Sequence, residues 1–99
     1  MYVLLWFYQP AAGREEAFER TYGMGGDWAA FFRKGDGYLG TELWKGESTD
    51  GYVTVDRWET KAHFEEFRSA HHAEYEALDR GCEHLTAVER FLDAYEAVG

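Results

Sequence analysis

Only one cysteine, Cys82, occurs in the 99 residues. No intramolecular disulfide can form, and a reducing cytoplasm is the simplest setting. Cys82 itself reads as a small buried residue rather than a reactive thiol. Positive charge is scarce as well: ten Lys and Arg face nineteen Asp and Glu, a formal net charge of -9. That balance repels phosphate backbones and anionic membranes and argues against nucleic acid as a partner. Long apolar runs are missing too. The run at the start covers about seven residues, where roughly twenty are needed to cross a bilayer. It carries neither a basic leading region nor a small-residue cleavage site, so the expectation is a soluble, untargeted, cytoplasmic protein with no membrane contact.

What the chain does have is rings. Seven Phe, seven Tyr and four Trp make up 18% of it, which leaves some to line a pocket or an interface unless two sheets' worth of packing absorbs them all. From Tyr2 to Tyr8 every residue is apolar or aromatic. In a strand, Leu4, Trp6 and Tyr8 then face one side and Val3, Leu5 and Phe7 the other. Helices can cover one of these faces, and the second calls for another sheet, most simply that of a second copy. The expectation is a single domain, residues 1–99, that forms a homodimer through its sheet faces and gains stability by doing so.

Punctuation along the chain supplies the order of elements. Strand one ends at Pro10, and an amphipathic helix with Ala17, Phe18 and Tyr22 closes at Gly23. Asp27 is the expected N-cap of a second short helix carrying Trp28, Phe31 and Phe32, which stops at Gly35. Residues 38–45 and 52–59 read as two strands joined across the polar loop 46–51. Thr60 caps a long helix to about Arg80, with Phe64, Phe67, His71, Tyr75 and Leu78 on one inward stripe. Gly81 ends it, and 85–95 is the last strand, Leu85, Ala87, Glu89, Phe91 and Asp93 alternating with Thr86, Val88, Arg90, Leu92 and Ala94. The order β-α-β-β-α-β in two similar halves is the split-βαβ, ferredoxin-like layout: an α+β fold whose four-stranded antiparallel sheet carries its helices on one face.

With these elements placed, the aromatic first strand, Gly37-Tyr38-Leu39-Gly40-Thr41-Glu42-Leu43, Trp58-Glu59-Thr60, and Phe64 with Phe67 together resemble the antibiotic biosynthesis monooxygenase type of domain in the dimeric α/β-barrel superfamily. The resemblance covers nearly all of the chain. It implies the dimeric barrel fold, but function diverges widely within such domains, from cofactor-independent oxygenases of aromatic polyketides to heme-degrading enzymes and isomerases. Heme-degrading members resemble one another in an Asn on the first strand, and a Trp and an axial His on the long helix. Here the matching positions hold Trp6, Phe67 and Ala77, and the chain contains no Asn. Heme oxygenation of that kind is not expected, although His71 remains available to a heme.

His71 lies near the centre of the inward stripe, where burial favours a neutral imidazole suited to act as a base. It reads equally as a core histidine satisfied by Tyr75 or a backbone carbonyl. A cofactor-independent oxygenase needs a base and a dry aromatic pocket. The expectation is therefore a cavity between helices and sheet lined by Trp6, Trp58 and Phe67, with His71 as base and Tyr75 as donor to an oxyanion, and with no metal or flavin. The ligand would be a small apolar or aromatic, enolisable molecule. A non-catalytic ligand-binding or stress-associated protein, or an isomerase or lyase using the same cavity, are the alternatives. His71, His72, Glu74, Cys82, Glu83 and His84 lack standard metal-ligand spacing. Gly23-Met24-Gly25-Gly26 reads as a hinge, loop or lid rather than a phosphate cradle. Asp56 shares a face with Thr54 and Trp58 and needs a partner, either a catalytic group or a base such as Arg90 or Arg57 of the partner subunit.

Overall fold

Strand β1 (Tyr2–Pro10) stops at its proline, and helices α1 (Glu15–Tyr22) and α2 (Asp27–Phe32) follow in the computed structural model, which describes residues 1–99. The remaining elements are β2 (Tyr38–Lys45), β3 (Tyr52–Trp58), α3 (Lys61–Ala70), α4 (His72–Cys82), a short 3-10 turn and β4 (Thr86–Glu96). The strands lie in the order β2-β3-β1-β4, every neighbouring pair antiparallel. This is the expected ferredoxin-like α+β sheet with its helices on one face.

Local chemistry explains the helices. Glu15 and Glu16 stand at the positive end of α1 and Arg20 in its last turn, each of the sign the helix dipole favours. Phe18 and Tyr22, one turn apart, bury its inner face. Asp27, expected as a cap, is instead the first helical residue of α2, and Gly26 holds the cap position. A Cβ there would meet the carbonyl oxygens of Arg20 and Thr21 at 2.3 and 2.4 Å, so only glycine lets α2 start so close to the end of α1. Thr60 does cap α3, accepting from the His63 amide at 3.1 Å.

Three boundaries differ from the sequence reading. The long helix breaks at His71, whose backbone (φ -116, ψ 30) leaves the helical region and separates α3 from α4. Gly81 lies inside α4, and Leu85 belongs to the 3-10 turn before β4. Finally, the simple alternation along the last strand fails. Leu5 pairs with Asp93 and Trp6 with Phe91, so Leu92 is an extra, bulged residue. Ala94 thereby joins Phe91 on the helix side, and Asp93 moves to the other.

Between sheet and helices, Tyr2, Leu4 and Tyr8 of β1 and Tyr52 and Trp58 of β3 meet Phe18, Tyr22, Trp28, Phe31, Phe32 and Phe67 in one buried cluster. Trp58 and Phe18 are wholly enclosed. Ring contacts run through the cluster without a gap, from Phe18 on Tyr22 (4.5 Å between centroids) to Phe31 on Phe67 (4.9 Å). No helix covers the opposite face of the sheet. There Val3, Leu5, Phe7, Val53 and Val55 remain half-buried and Trp44 and Tyr95 exposed.

Candidate functional site

Even-numbered residues of β1 point toward the helices, and β3 pairs with it so that Leu4 faces Asp56 and Trp6 faces Thr54. This register puts a carboxyl group among aromatic side chains. Above it, Phe32 of α2, Phe64 and Arg68 of α3 and Tyr75 of α4 close a cavity of about 400 Å³, whose floor is Tyr2, Leu4, Trp6, Asp56 and Phe91. Phe91, the most open of these walls, packs edge-on against Trp6 at 5.2 Å.

Asp56 ends a line of hydroxyls. Thr41 Oγ1 donates to Asp56 Oδ1 at 2.7 Å, and Thr41 in turn lies 2.5 Å from the Tyr38 hydroxyl. Because Thr41 has one proton and gives it to the carboxylate, Tyr38 must be the donor of the second bond. Burial pushes the Asp56 carboxyl up to about 6, against a smaller opposing pull from the Thr41 bond. Arg90, expected as a partner for it, does not reach it, and neither does this chain's own Arg57, because both lie on the other face of the sheet. Arg57 pairs with Glu42 at 2.9 Å, and Arg90 sits over the Phe7 ring.

A smaller chamber of about 30 Å³ adjoins the cavity, sharing Trp6, Phe32, Asp56 and Tyr75, and is lined further by Tyr8, Tyr22, Trp28, Thr41, Thr54 and Glu89. Trp28 Nε1 and Thr54 Oγ1 are buried there without a hydrogen-bond partner. It is large enough to hold a water molecule, and its donors and acceptors suit such an occupant. Burial raises the Tyr8, Tyr22 and Tyr75 hydroxyls, so all three stay protonated and able to donate near neutral pH.

Of the residues singled out from sequence, Trp6 and Tyr75 line the cavity together. Trp58 and Phe67 stand behind its wall, packed at 5.9 and 5.8 Å against Phe32. His71 does not point inward. The break between α3 and α4 turns its ring into a separate groove with Lys34, His63 and Glu66, where it packs on Phe67 at 4.7 Å. Its Nδ1 meets Glu74 at 3.3 Å, not Tyr75. Lys34 donates to the other oxygen of that carboxylate at 2.7 Å and holds it below its ordinary pKa. Gly25 and Gly26, read as part of a hinge, loop or lid, border another groove beside Asp27 and Ala30. No cluster of three or more His, Cys, Asp or Glu with metal-binding geometry occurs, and no helix is long and apolar enough to cross a membrane. Cys82 is buried, and burial raises its thiol pKa.

Arg68 was missed in the sequence. It follows Phe64 by four residues and precedes Tyr75 by seven, a spacing that continues the apolar stripe. A basic residue on a helix otherwise reads as solvated.

Comparison with known proteins agrees with this architecture. A candidate antibiotic biosynthesis monooxygenase from Deinococcus radiodurans superposes with a TM-score of 0.75 at 18% identity, covering 100% of this chain and 94% of that one. SnoaB, a cofactor-independent oxygenase from Streptomyces nogalater, superposes with a TM-score of 0.63 at 19% identity, with 99% and 93% covered. A NIPSNAP domain protein from Burkholderia xenovorans also matches, at 0.67 and 15% identity over 99% and 95%. At such identities the likeness shows the fold alone. No protein of curated function matches the chain. The family model for antibiotic biosynthesis monooxygenases matches residues 1–78, and the chain belongs to that family.

Proposed function

We propose that the chain is a cofactor-independent monooxygenase that oxidises an aromatic, enolisable small molecule in the cavity between sheet and helices. One observation carries this reading: a carboxyl group held near pKa 6 at the floor of a cavity walled by Trp6, Phe32, Phe64 and Phe91. A base poised near the working pH is the group that such chemistry requires, and apolar walls protect the carbanion it creates.

In the proposed reaction Asp56 removes a proton from an activated methylene, and Tyr75 donates a hydrogen bond to the enolate oxygen. The carbanion passes one electron to dioxygen, and the radical and superoxide join through a new C–O bond. Protonation gives a hydroperoxide. Loss of the second C–H proton breaks the O–O bond, leaving a carbonyl and expelling hydroxide, which departs as water. All four electrons come from the methylene carbon, so CH2 and O2 become C=O and H2O with no outside reductant.

Assigning the base to Asp56 rather than His71 rests on access, since the His71 ring lines a different groove. The proposal includes a homodimer formed through the uncovered sheet face, supported by the apolar side chains Val3, Leu5, Phe7, Val53 and Val55 on it. A cytoplasmic location is supported by the single cysteine, which is buried and unpaired.

Oxygen uptake with 1,8-dihydroxy-9-anthrone, corrected for autoxidation, tests the reading. Asp56→Asn should lower turnover by about a hundredfold or more, and His71→Gln should leave it within about threefold. The wild-type rate should rise with pH as Asp56 ionises, half-maximal near 6. No uptake above the blank across anthrones and hydroquinones would overturn the oxygenase reading in favour of a non-catalytic binding protein.

A further inference from the structure

The other charged side chain in the cavity is Arg68, and no carboxylate of the chain forms an ion pair with it. Its guanidinium carbon lies 3.8 Å from the centroid of the Tyr75 ring, a stacking contact that holds the fork in one plane. Its Nε is buried and has no hydrogen-bond partner. Four of the other six arginines find acceptors: Arg20 meets Glu16, Arg57 meets Glu42 and Arg80 meets Glu76, while Arg33 donates to the Met24 carbonyl; Arg14 and Arg90 form no ion pair either, but neither has a buried nitrogen left without a partner. None of the ion pairs of the chain includes Arg68. Asp56 borders the same cavity, yet forms no ion pair with it and is engaged by Thr41 instead.

A guanidinium half-buried at an apolar cavity, with its Nε buried and lacking an acceptor, leaves a donor that a bound anion would satisfy. We infer that the cavity binds a planar aromatic anion, with Arg68 gripping its carboxylate or ionised enol oxygen while the rings of Trp6, Phe64 and Phe91 take the hydrocarbon part. The planar fork, held flat by Tyr75, is the donor geometry that pairs two N–H groups with the two oxygens of a carboxylate. About 400 Å³ is room for two or three fused rings. The net charge of -9 means that long-range attraction does not bring an anion here. Recognition is local, and it depends on one side chain. This names the substrate class for the site proposed above and rests on that cavity being the ligand site, though not on its being catalytic.

Binding of 2-naphthoate, which does not react with oxygen, separates recognition from turnover. Calorimetric titration at pH 7.5 compares it with 2-naphthamide, its neutral analogue. Wild-type protein should bind the acid about tenfold to a hundredfold more tightly than the amide. Arg68→Met should erase that preference while leaving amide affinity within about threefold, and Arg68→Lys should restore part of it. Equal affinity for acid and amide in the wild-type protein would overturn the inference, as would binding of neither at millimolar concentration. Equal loss of both in Arg68→Met, with a native circular dichroism spectrum, would also overturn it by giving Arg68 a purely structural role. Acid preference without oxygen uptake on any substrate leaves the anion site standing and removes the oxygenase. Anthrone oxidation without acid preference does the reverse.

Discussion

Replacing Asp56 by Asn removes an ionisation that the folded chain resists, and the size of the effect follows from its surroundings. The carboxyl has its pKa raised from 3.8 to about 6, with burial as the main cause. Below about pH 3 the group is neutral in folded and unfolded chains alike and makes no difference to stability. Between about 3 and 6 the unfolded chain releases its proton while the folded chain keeps it, so stability falls as pH rises. Above about 6 the loss is complete. About two pKa units correspond to about 3 kcal/mol. Asn keeps the shape and can still accept from Thr41, so the variant should escape this loss. Urea unfolding at one fixed protein concentration, repeated from pH 4 to pH 8, reads the difference between the two proteins and cancels the titration of every other group. The wild-type curve should drop relative to the variant by about 2–3 kcal/mol, with most of the change between pH 4 and 6. Two curves that stay parallel across that range would show that Asp56 ionises freely in the folded chain and would remove it as a tuned base.

Two further predictions concern packing. Trp58 is wholly enclosed among Phe32, Tyr38, Phe64 and Phe67, and its Nε1 has no partner. Trp58→Ala should therefore cost about 3–5 kcal/mol in urea unfolding, whereas Trp58→Phe, which gives up no hydrogen bond, should cost less than half of that. Val55 lies between Leu5 and Glu42 in the sheet register, on the face no helix covers. Val55→Asp should convert the proposed dimer to a monomer at micromolar concentration in sedimentation velocity, and an unchanged dimer would place the subunit contact elsewhere.

How far the sequence could be read depended on how local each signal was. Pro10, Thr60 and the two-residue alternation of β1 and β3 act within a few residues, and the fold emerged from them. The break at His71 has no Gly or Pro to announce it, and assuming an unbroken 100° step therefore carried the imidazole inward on paper when the backbone turns it out. The bulge at Leu92 is equally silent, because it arises from how β4 runs along β1. At the site, Trp6 and Tyr75 were legible as rings on known faces, and Asp56 as a charge in need of a partner. That its partner is Thr41, fifteen residues earlier, depends on the register of β2 against β3, which no periodicity encodes. Arg68 stayed hidden because its meaning lies in the absence of an acceptor, a property of the packed molecule.

The line from Tyr38 through Thr41 to Asp56 has a polarity. With Asp56 ionised, each hydroxyl is obliged to point its proton inward, toward the cavity. A neutral Asp56 has a proton of its own to give, and the same three oxygens can then be strung in the opposite sense, with Thr41 turned toward Tyr38. Since β2 is the outer strand of the sheet, gain or loss of one proton at the cavity floor is written as the orientation of a hydroxyl at the sheet's rim. The protonation state of Asp56 is thus registered two hydroxyls away from the carboxyl itself.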